Sequence, residues 1–245
     1  MFRIVTLFVV AAAAVLGLLR AQAENASRVG WEPVYSASCN GCDLSHKEMP
    51  GWRLDNGQFR DAKFVGANLR GVSAKTADFS RADFSTTNLI DSTLDGAIVA
   101  GATLDRARMQ RVSATGLDAI GASLLGANLR AAEFIGASFE DADLTGAHAI
   151  GTVFAAANMR GARANKTNFS RANFNGAILT NASFVETELS GATFLDAKLG
   201  GADFTGAMSM ETVDFSGACI SSSTRLPASI TIPQCAPGPI LAVVD

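Results

Sequence analysis

The sequence is poor in the groups on which most enzymes depend. It holds two histidines, one tyrosine and two tryptophans in 245 residues. Imidazole chemistry must therefore rest on His46 or His148. No charge of one sign dominates: 20 Lys and Arg stand against 23 Asp and Glu, a formal net charge of -3. That balance is too mild to argue for an acidic or a basic partner. No apolar run reaches the length of a membrane span. The longest, Ile4 to Leu19, has about 16 residues, short of the ~20 that a bilayer requires.

That run has a different reading. Arg3 precedes it and Ala21-Gln22-Ala23 follows it, the order of basic start, apolar stretch and A-x-A cleavage site in a secretory signal. Residues 1–23 are read as that signal, with an uncleaved single-span anchor as the alternative. There is no twin-arginine pair, and no cysteine follows the site, so a lipid anchor is not expected. Removing residues 1–23 takes away Arg3 and Arg20 and no acid, which moves the charge from -3 to -5 by subtraction. The expected location is periplasmic or extracellular, with no membrane span in the mature chain.

From Leu44 to Phe204 the chain counts in fives. Ala62-Lys63-Phe64-Val65-Gly66 runs into Ala67-Asn68-Leu69-Arg70-Gly71, and Ala77-Asp78-Phe79-Ser80-Arg81 into Ala82-Asp83-Phe84-Ser85-Thr86. An α-helix repeats its face every 3.6 residues and a strand every two, so neither sustains a period of five. A chain that turns one corner per unit does. The central residue is nearly always Leu, Phe or Met, and a small residue, mostly Ala, stands two positions earlier. Both point inward by the alternation of extended chain. The last position is often Gly, as at Gly121, Gly126 and Gly136, which suits a corner. The other positions are polar and face water.

Three apparent defects are volume exchanges. Ala74, Ala114 and Ala119 are central, and Val72, Val112 and Leu117 precede them where Ala is usual. Ala149 and Ala164 lack that exchange, which predicts local narrowing or small voids. One residue is inserted late: Ser209 falls on a central position, yet the next clear centre is Phe215. It reads as a bulge near the C-terminal end.

These units resemble the A(D/N)LXX pattern of the pentapeptide-repeat family over roughly residues 42–220. The resemblance implies an all-β fold, a right-handed, quadrilateral parallel β-helix (β-solenoid) with four units per coil and about nine coils. At about 4.8 Å per layer that is a rod roughly 40 Å long. The implied organisation is signal 1–23, N-terminal cap 24–41 with Trp31 and Tyr35, repeat 42–220, and C-terminal cap or tail 221–245. Within that tail Ser229–Ile232 and Ile240–Val244 read as short strands between Pro233, Pro237 and Pro239.

The implied rod also sorts the four cysteines. Cys39 and Cys42 would lie at one end, Cys219 and Cys235 at the other, too far apart for bridges across the rod, since a disulfide needs Cα atoms within about 7 Å. The pairing expected is Cys39–Cys42 and Cys219–Cys235, as staples on the open coil ends. A redox or metal role for Cys39-Asn40-Gly41-Cys42 is the weaker reading: Asp43 stands where a haem site needs His, and the βαβ context of a thioredoxin-like motif is missing.

On the outside, His46 and His148 would be about five coils apart, so no Ser-His-Asp arrangement can form. The acids Asp78, Asp83, Glu140, Asp141 and Asp143 do not stack as a glycan-cleaving face would require. No catalytic residue, cofactor or metal is expected. Stacking at 20 residues does gather Arg70, Arg108, Arg111, Arg130 and Arg171 on one side, with Asp91 and Glu188 the main acids among them, while Asp78, Asp118, Glu140 and Asp141 lie opposite. This candidate binding stripe suits an unknown protein or an anionic surface glycan. Ile135, Val153 and Ala155 form a second, smaller contact candidate. Some family members imitate duplex DNA and protect DNA gyrase as cytoplasmic dimers joined by a C-terminal helix. This chain departs from them in its export signal, its arginine stripe and its proline-broken tail. The leading expectation is a non-enzymatic exported structural or interaction scaffold, with no nucleic acid as partner and its oligomeric state left open. An ice binder would need a Thr-x-Thr ladder, which Thr93, Thr103 and Thr115 do not form.

Overall fold

The computed structural model describes residues 38–235. Trp31, Tyr35 and the segment Ile240–Val244 lie outside them. Among the described residues the backbone forms single-residue parallel bridges, and from Ser38↔Gln58 to Glu188↔Met208 each joins a residue to the one 20 positions on, as in Asn68↔Asn88 and Asn88↔Arg108. A period of five with a register of 20 gives four sides per coil. The first side is centred on Leu44, Phe64 and Phe84, the second on Met49, Leu69 and Leu89, the third on Leu54, Ala74 and Leu94, and the fourth on Phe59, Phe79 and Val99. The regular strands that an all-β reading suggests are replaced by corners. Each side is too short to be more than one bridged residue between two turns.

One unit shows why this backbone is stable. Asn68 N–H donates to Lys47 O at 2.9 Å, Leu69 N–H to Asn88 O at 2.8 Å and Gly71 N–H to Ile90 O at 2.9 Å. Ala67 N–H closes the preceding corner on Phe64 O at 2.9 Å. The fifth donor, Arg70 N–H, has no main-chain acceptor and takes the Asn68 side-chain oxygen at 3.3 Å. The same cap recurs from Asp83 to Ser85 N–H (2.9 Å), Asp118 to Ile120 N–H (3.1 Å) and Asp143 to Thr145 N–H (2.9 Å). Where that position is not Asp or Asn, an acid or amide one coil earlier does the work: Asp55 caps Lys75 N–H at 2.9 Å and Asp105 caps Leu125 N–H at 3.1 Å. The D/N of the repeat is therefore a local Asx cap.

The corner residue itself is left-handed at Gly66 and Gly71 (φ 62° and 66°), and equally at Arg81 and Thr86 (φ 58° each). The preference for Gly is thus not a requirement. A left-handed L-residue costs roughly 1–2 kcal/mol, which the interlocking ladder outweighs coil after coil.

The interior is filled as the sequence predicts. Phe64, Phe134, Phe139 and Phe154 are fully buried, and so are the small partners Ala62, Ala132 and Ala137. Rings on one side stack one coil apart, as in Phe64–Phe84 (4.8 Å, 2°), while rings on neighbouring sides meet edge to face, as in Phe134–Phe139 (5.1 Å, 88°). Val72 with Ala74, Val112 with Ala114 and Leu117 with Ala119 are all buried. Ala149 and Ala164 are each followed on the next side of the same coil by a buried ring, Phe154 and Phe169. Buried hydroxyls in the small-residue position reach back to the coil before, as Thr87 to Phe64 O at 2.6 Å and Thr152 to Leu129 O at 2.8 Å.

The ends depart from the sequence reading. Ser38 already pairs with Gln58, because Cys39 is itself a central residue, so the ladder extends into the segment read as an N-terminal cap. The late insertion is a 3-10 turn, Met210–Thr212, after which the register lengthens from 20 to 21 at Thr193↔Asp214. A second inserted residue makes Asp203↔Arg225 a pairing of 22. Ser229–Ile232 is not a strand. Pro227 and Pro233 flank it, and the chain instead crosses the last coil and returns to it at Ile220↔Gln234, burying Ile232.

Candidate interaction surface

Inward positions are fully committed to packing, so any recognition must use the three outward positions of each unit. His46 lies at a corner of the first side and His148 in the bridged column of the second, paired with Asn128 and Asn168. Among the described residues no group of three His, Cys, Asp or Glu is placed to hold a metal ion. A shallow hollow at the C-terminal end is lined by Phe204, Gly206, Arg225, Leu226 and Pro227. Its one charged group, Arg225, is tied to Asp203 at 2.9 Å.

Much of the outer charge is spent within the coil stack. Arg81 holds Asp61 through two contacts of 2.7 and 2.8 Å, one coil apart on the fourth side. Asp78 is 4% exposed and receives Arg60 Nε at 2.6 Å. Burial works against its carboxylate, but the Ser80 hydroxyl and N–H, with Arg60, outweigh it and hold the carboxyl below its ordinary value. The acids opposite the arginine stripe are therefore partly structural.

The stripe itself divides. Arg111 Nε lies 2.7 Å from Asp91, and Arg70 reaches the other oxygen of the same carboxylate at 3.2 Å. The hydrogen bond from Arg111, with Arg70 adding to it, holds Asp91 below its ordinary value. Those two arginines are bound to an acid. Arg108, Arg130 and Arg171 are exposed on the second side and have no ion-pair partner among the described residues. The structure adds two cations that the sequence reading passed over. Arg106 and Lys166 sit at the corner between first and second sides, and both are exposed. They were legible in the register, because a corner residue faces two sides and belongs to both. Lys166 contacts Glu186 at 3.8 Å.

Along the second side from Arg106 to Arg171 there is no acid. Its bridged column reads Arg108, Asn128, His148, Asn168, with Glu188 following. Exposed large apolar side chains lie outside this stretch: Ile120 and Ile178 on the fourth side, Leu125 on the first, Ile135 on the third, and Met208 on the second side beyond Glu188. Ile135 is 41% exposed beside the less exposed Val153 and Ala155, a small patch.

At the two ends Cys39 pairs with Cys42, with Cα atoms 5.5 Å apart, and Cys219 with Cys235 at 4.6 Å. Cys39 and Cys42 straddle the first described corner, where Cys42 N–H donates to Cys39 O. Cys235 N–H donates to Ile220 O, so the second pair lies where the returning tail meets the last coil.

A solenoid of five-residue units defines a class of repeat protein, and comparison with known families agrees. The pentapeptide-repeat model matches in eight copies, with matched stretches 53–89, 75–111, 107–146, 137–176 and 167–206 that together span residues 53–206. The chain belongs to the pentapeptide-repeat family, whose members fold as right-handed quadrilateral β-helices. No curated protein sequence matches it. Among solved structures it is similar to HetL of the cyanobacterium Nostoc, a pentapeptide repeat protein involved in regulating heterocyst differentiation. The two share 23% identity over 85% of this chain and 98% of that one, with a TM-score of 0.47. It is also similar to QnrB1, a plasmid-mediated fluoroquinolone resistance protein, at 17% identity over 76% and 92%, TM-score 0.45. A pentapeptide repeat protein of the Arabidopsis thaliana thylakoid lumen matches at 28% identity over 42% and 68%, TM-score 0.28.

Proposed function

We propose that this protein is an exported, non-enzymatic scaffold that recognises its partner through the second side of the coil. The observation that carries this is the acid-free stretch of exposed cations from Arg106 to Arg171, set on a backbone whose interior positions are all committed to packing. Repeat scaffolds bind through extended surfaces of this kind rather than through clefts. Export rests on residues 1–23 and the A-x-A site at Ala21–Ala23. Covalent Cys39–Cys42 and Cys219–Cys235 bridges belong to the same reading, since an oxidising compartment would form them.

The gyrase-protecting alternative asks for an acidic surface that imitates DNA, and the second side is the reverse of that. The test is fractionation of the native cell, followed by crosslinking from a photoreactive residue at position 130. A partner captured outside the cytoplasm supports the proposal. Cytoplasmic protein that protects gyrase, or measurable turnover of a substrate, would count against it.

A further inference from the structure

Building on the scaffold reading, we infer that the second side between Arg106 and Arg171 binds a linear polysaccharide bearing anionic groups, laid along the coil axis. The arrangement of charge sets the shape of the ligand. Arg106 and Arg108 share one coil, Arg130 stands on the next, and Lys166, in contact with Glu186 at 3.8 Å, and Arg171 mark the two corners of the coil three on from the first. At the ~4.8 Å spacing of bridged chains the outer rows are roughly 14 Å apart. A single phosphate or carboxylate meets one row. Only an oligomer meets them all, and its added sites then bind at high effective concentration.

The chemistry of the groups narrows the class. Guanidinium forks match carboxylate, phosphate or sulfate esters through paired hydrogen bonds. The bridged column of the same stretch carries Asn128, His148 and Asn168; the Asn oxygens cap Arg130 and Ser170 N–H, which leaves their amide N–H groups and the imidazole for hydroxyl groups. An acidic protein would need an apolar or aromatic anchor at the centre of its contact. The exposed large apolar residues avoid this stretch, and the one on the second side, Met208, lies two coils beyond Arg171. Single-stranded nucleic acid would need an aromatic platform, and the phenylalanines here are buried. A hydroxyl-rich polyanion is what remains.

The test uses the full mature chain and oligogalacturonates of two and eight units, with a neutral oligosaccharide, a polyglutamate peptide and a DNA duplex as competitors. The eight-unit probe should bind and the two-unit probe should not. Binding should weaken steeply and log-linearly with salt. Arg108→Gln with Arg130→Gln should weaken it at least tenfold, because neither side chain has an ion pair to lose. Arg60→Gln on the fourth side should leave it unchanged. A phosphodiester-linked glycan run beside the uronate tells which anion is preferred, and binding of either supports the inference. Equal binding by the arginine variant, or tighter binding of polyglutamate or duplex, overturns it. If no glycan binds while crosslinking at position 130 captures a protein, the polysaccharide assignment falls and the scaffold reading stands. If the glycan binds and is cleaved, the scaffold reading falls instead.

Discussion

Replacing Phe139 by Ala tests the packing most directly. Its ring is fully buried, meets Phe134 edge to face at 5.1 Å and meets Phe154 at 5.6 Å. Phe→Ala substitutions in cores cost about 3–5 kcal/mol, the larger values arising where the site cannot collapse. Collapse is obstructed here. Phe139 N–H is bonded to Asn158 O at 2.6 Å and Ser138 N–H to Leu117 O at 2.8 Å, so the backbone is fixed to the coils above and below. The column offers no bulk from beneath, because the residue one coil earlier is Ala119. The cost should therefore fall at the upper end. In a domain of this size each kcal/mol moves the melting temperature by about 2–4 °C, so a drop of about 6–20 °C is expected. Thermal unfolding followed by circular dichroism measures it, with exposed Ile120→Ala as the control that should change stability by less than about 0.5 kcal/mol. Melting of Phe139→Ala within about 2 °C of the parent, or an equal fall in the control, would refute the register.

Other outcomes follow from the same geometry. Asp83→Ala removes the cap on the Ser85 N–H and hydroxyl (2.9 and 2.6 Å) and should lower stability by about 1 kcal/mol in urea unfolding. Thr152→Val keeps the shape but loses the hydroxyl donor to Leu129 O, and about 1 kcal/mol with it. Asp78 gives a pH dependence whose sign is fixed: its folded pKa lies below the ordinary 3.8, so the unfolded chain binds the proton more readily. Its stabilisation is complete above that value and disappears as pH falls through the folded pKa. Asp78→Asn should flatten the acid limb of a stability-against-pH curve in that window, and an unchanged limb would contradict the Arg60–Asp78 contact. Reduction of a Cys219–Cys235 bridge, which spans 16 positions, should cost up to about 3 kcal/mol and speed hydrogen exchange at Ile220 and Arg225 while leaving the middle coils protected.

The sequence by itself determined which side chains are inside. A period of five admits one solution in which Phe64, Leu69 and Ala67 all face the same interior, and the swaps at Val72/Ala74 and Leu117/Ala119 show volume conserved even where identity is not. Four sides per coil came from the resemblance to A(D/N)LXX repeats, and with four sides a period of five gives the register of 20 that says which positions stack. That made the gathering of Arg108, Arg130 and Arg171 on one side legible before any coordinates. Tertiary structure decided the rest, because it depends on contacts between coils that a list of outward positions does not contain. Whether Arg111 is free or held depends on Asp91 lying directly beneath it at 2.7 Å. Whether Asp in the repeat is decoration or a cap depends on one backbone N–H that finds no carbonyl, as at Ser85. The two late insertions shift the register by a residue each; in the sequence the second shows only as Arg225 where a centre is due and Leu226 one place later, and the pairing of Asp203 with Arg225 assigns it. Periodicity specifies direction, inward or outward, because sterics act residue by residue. Partnership between outward groups requires the distances.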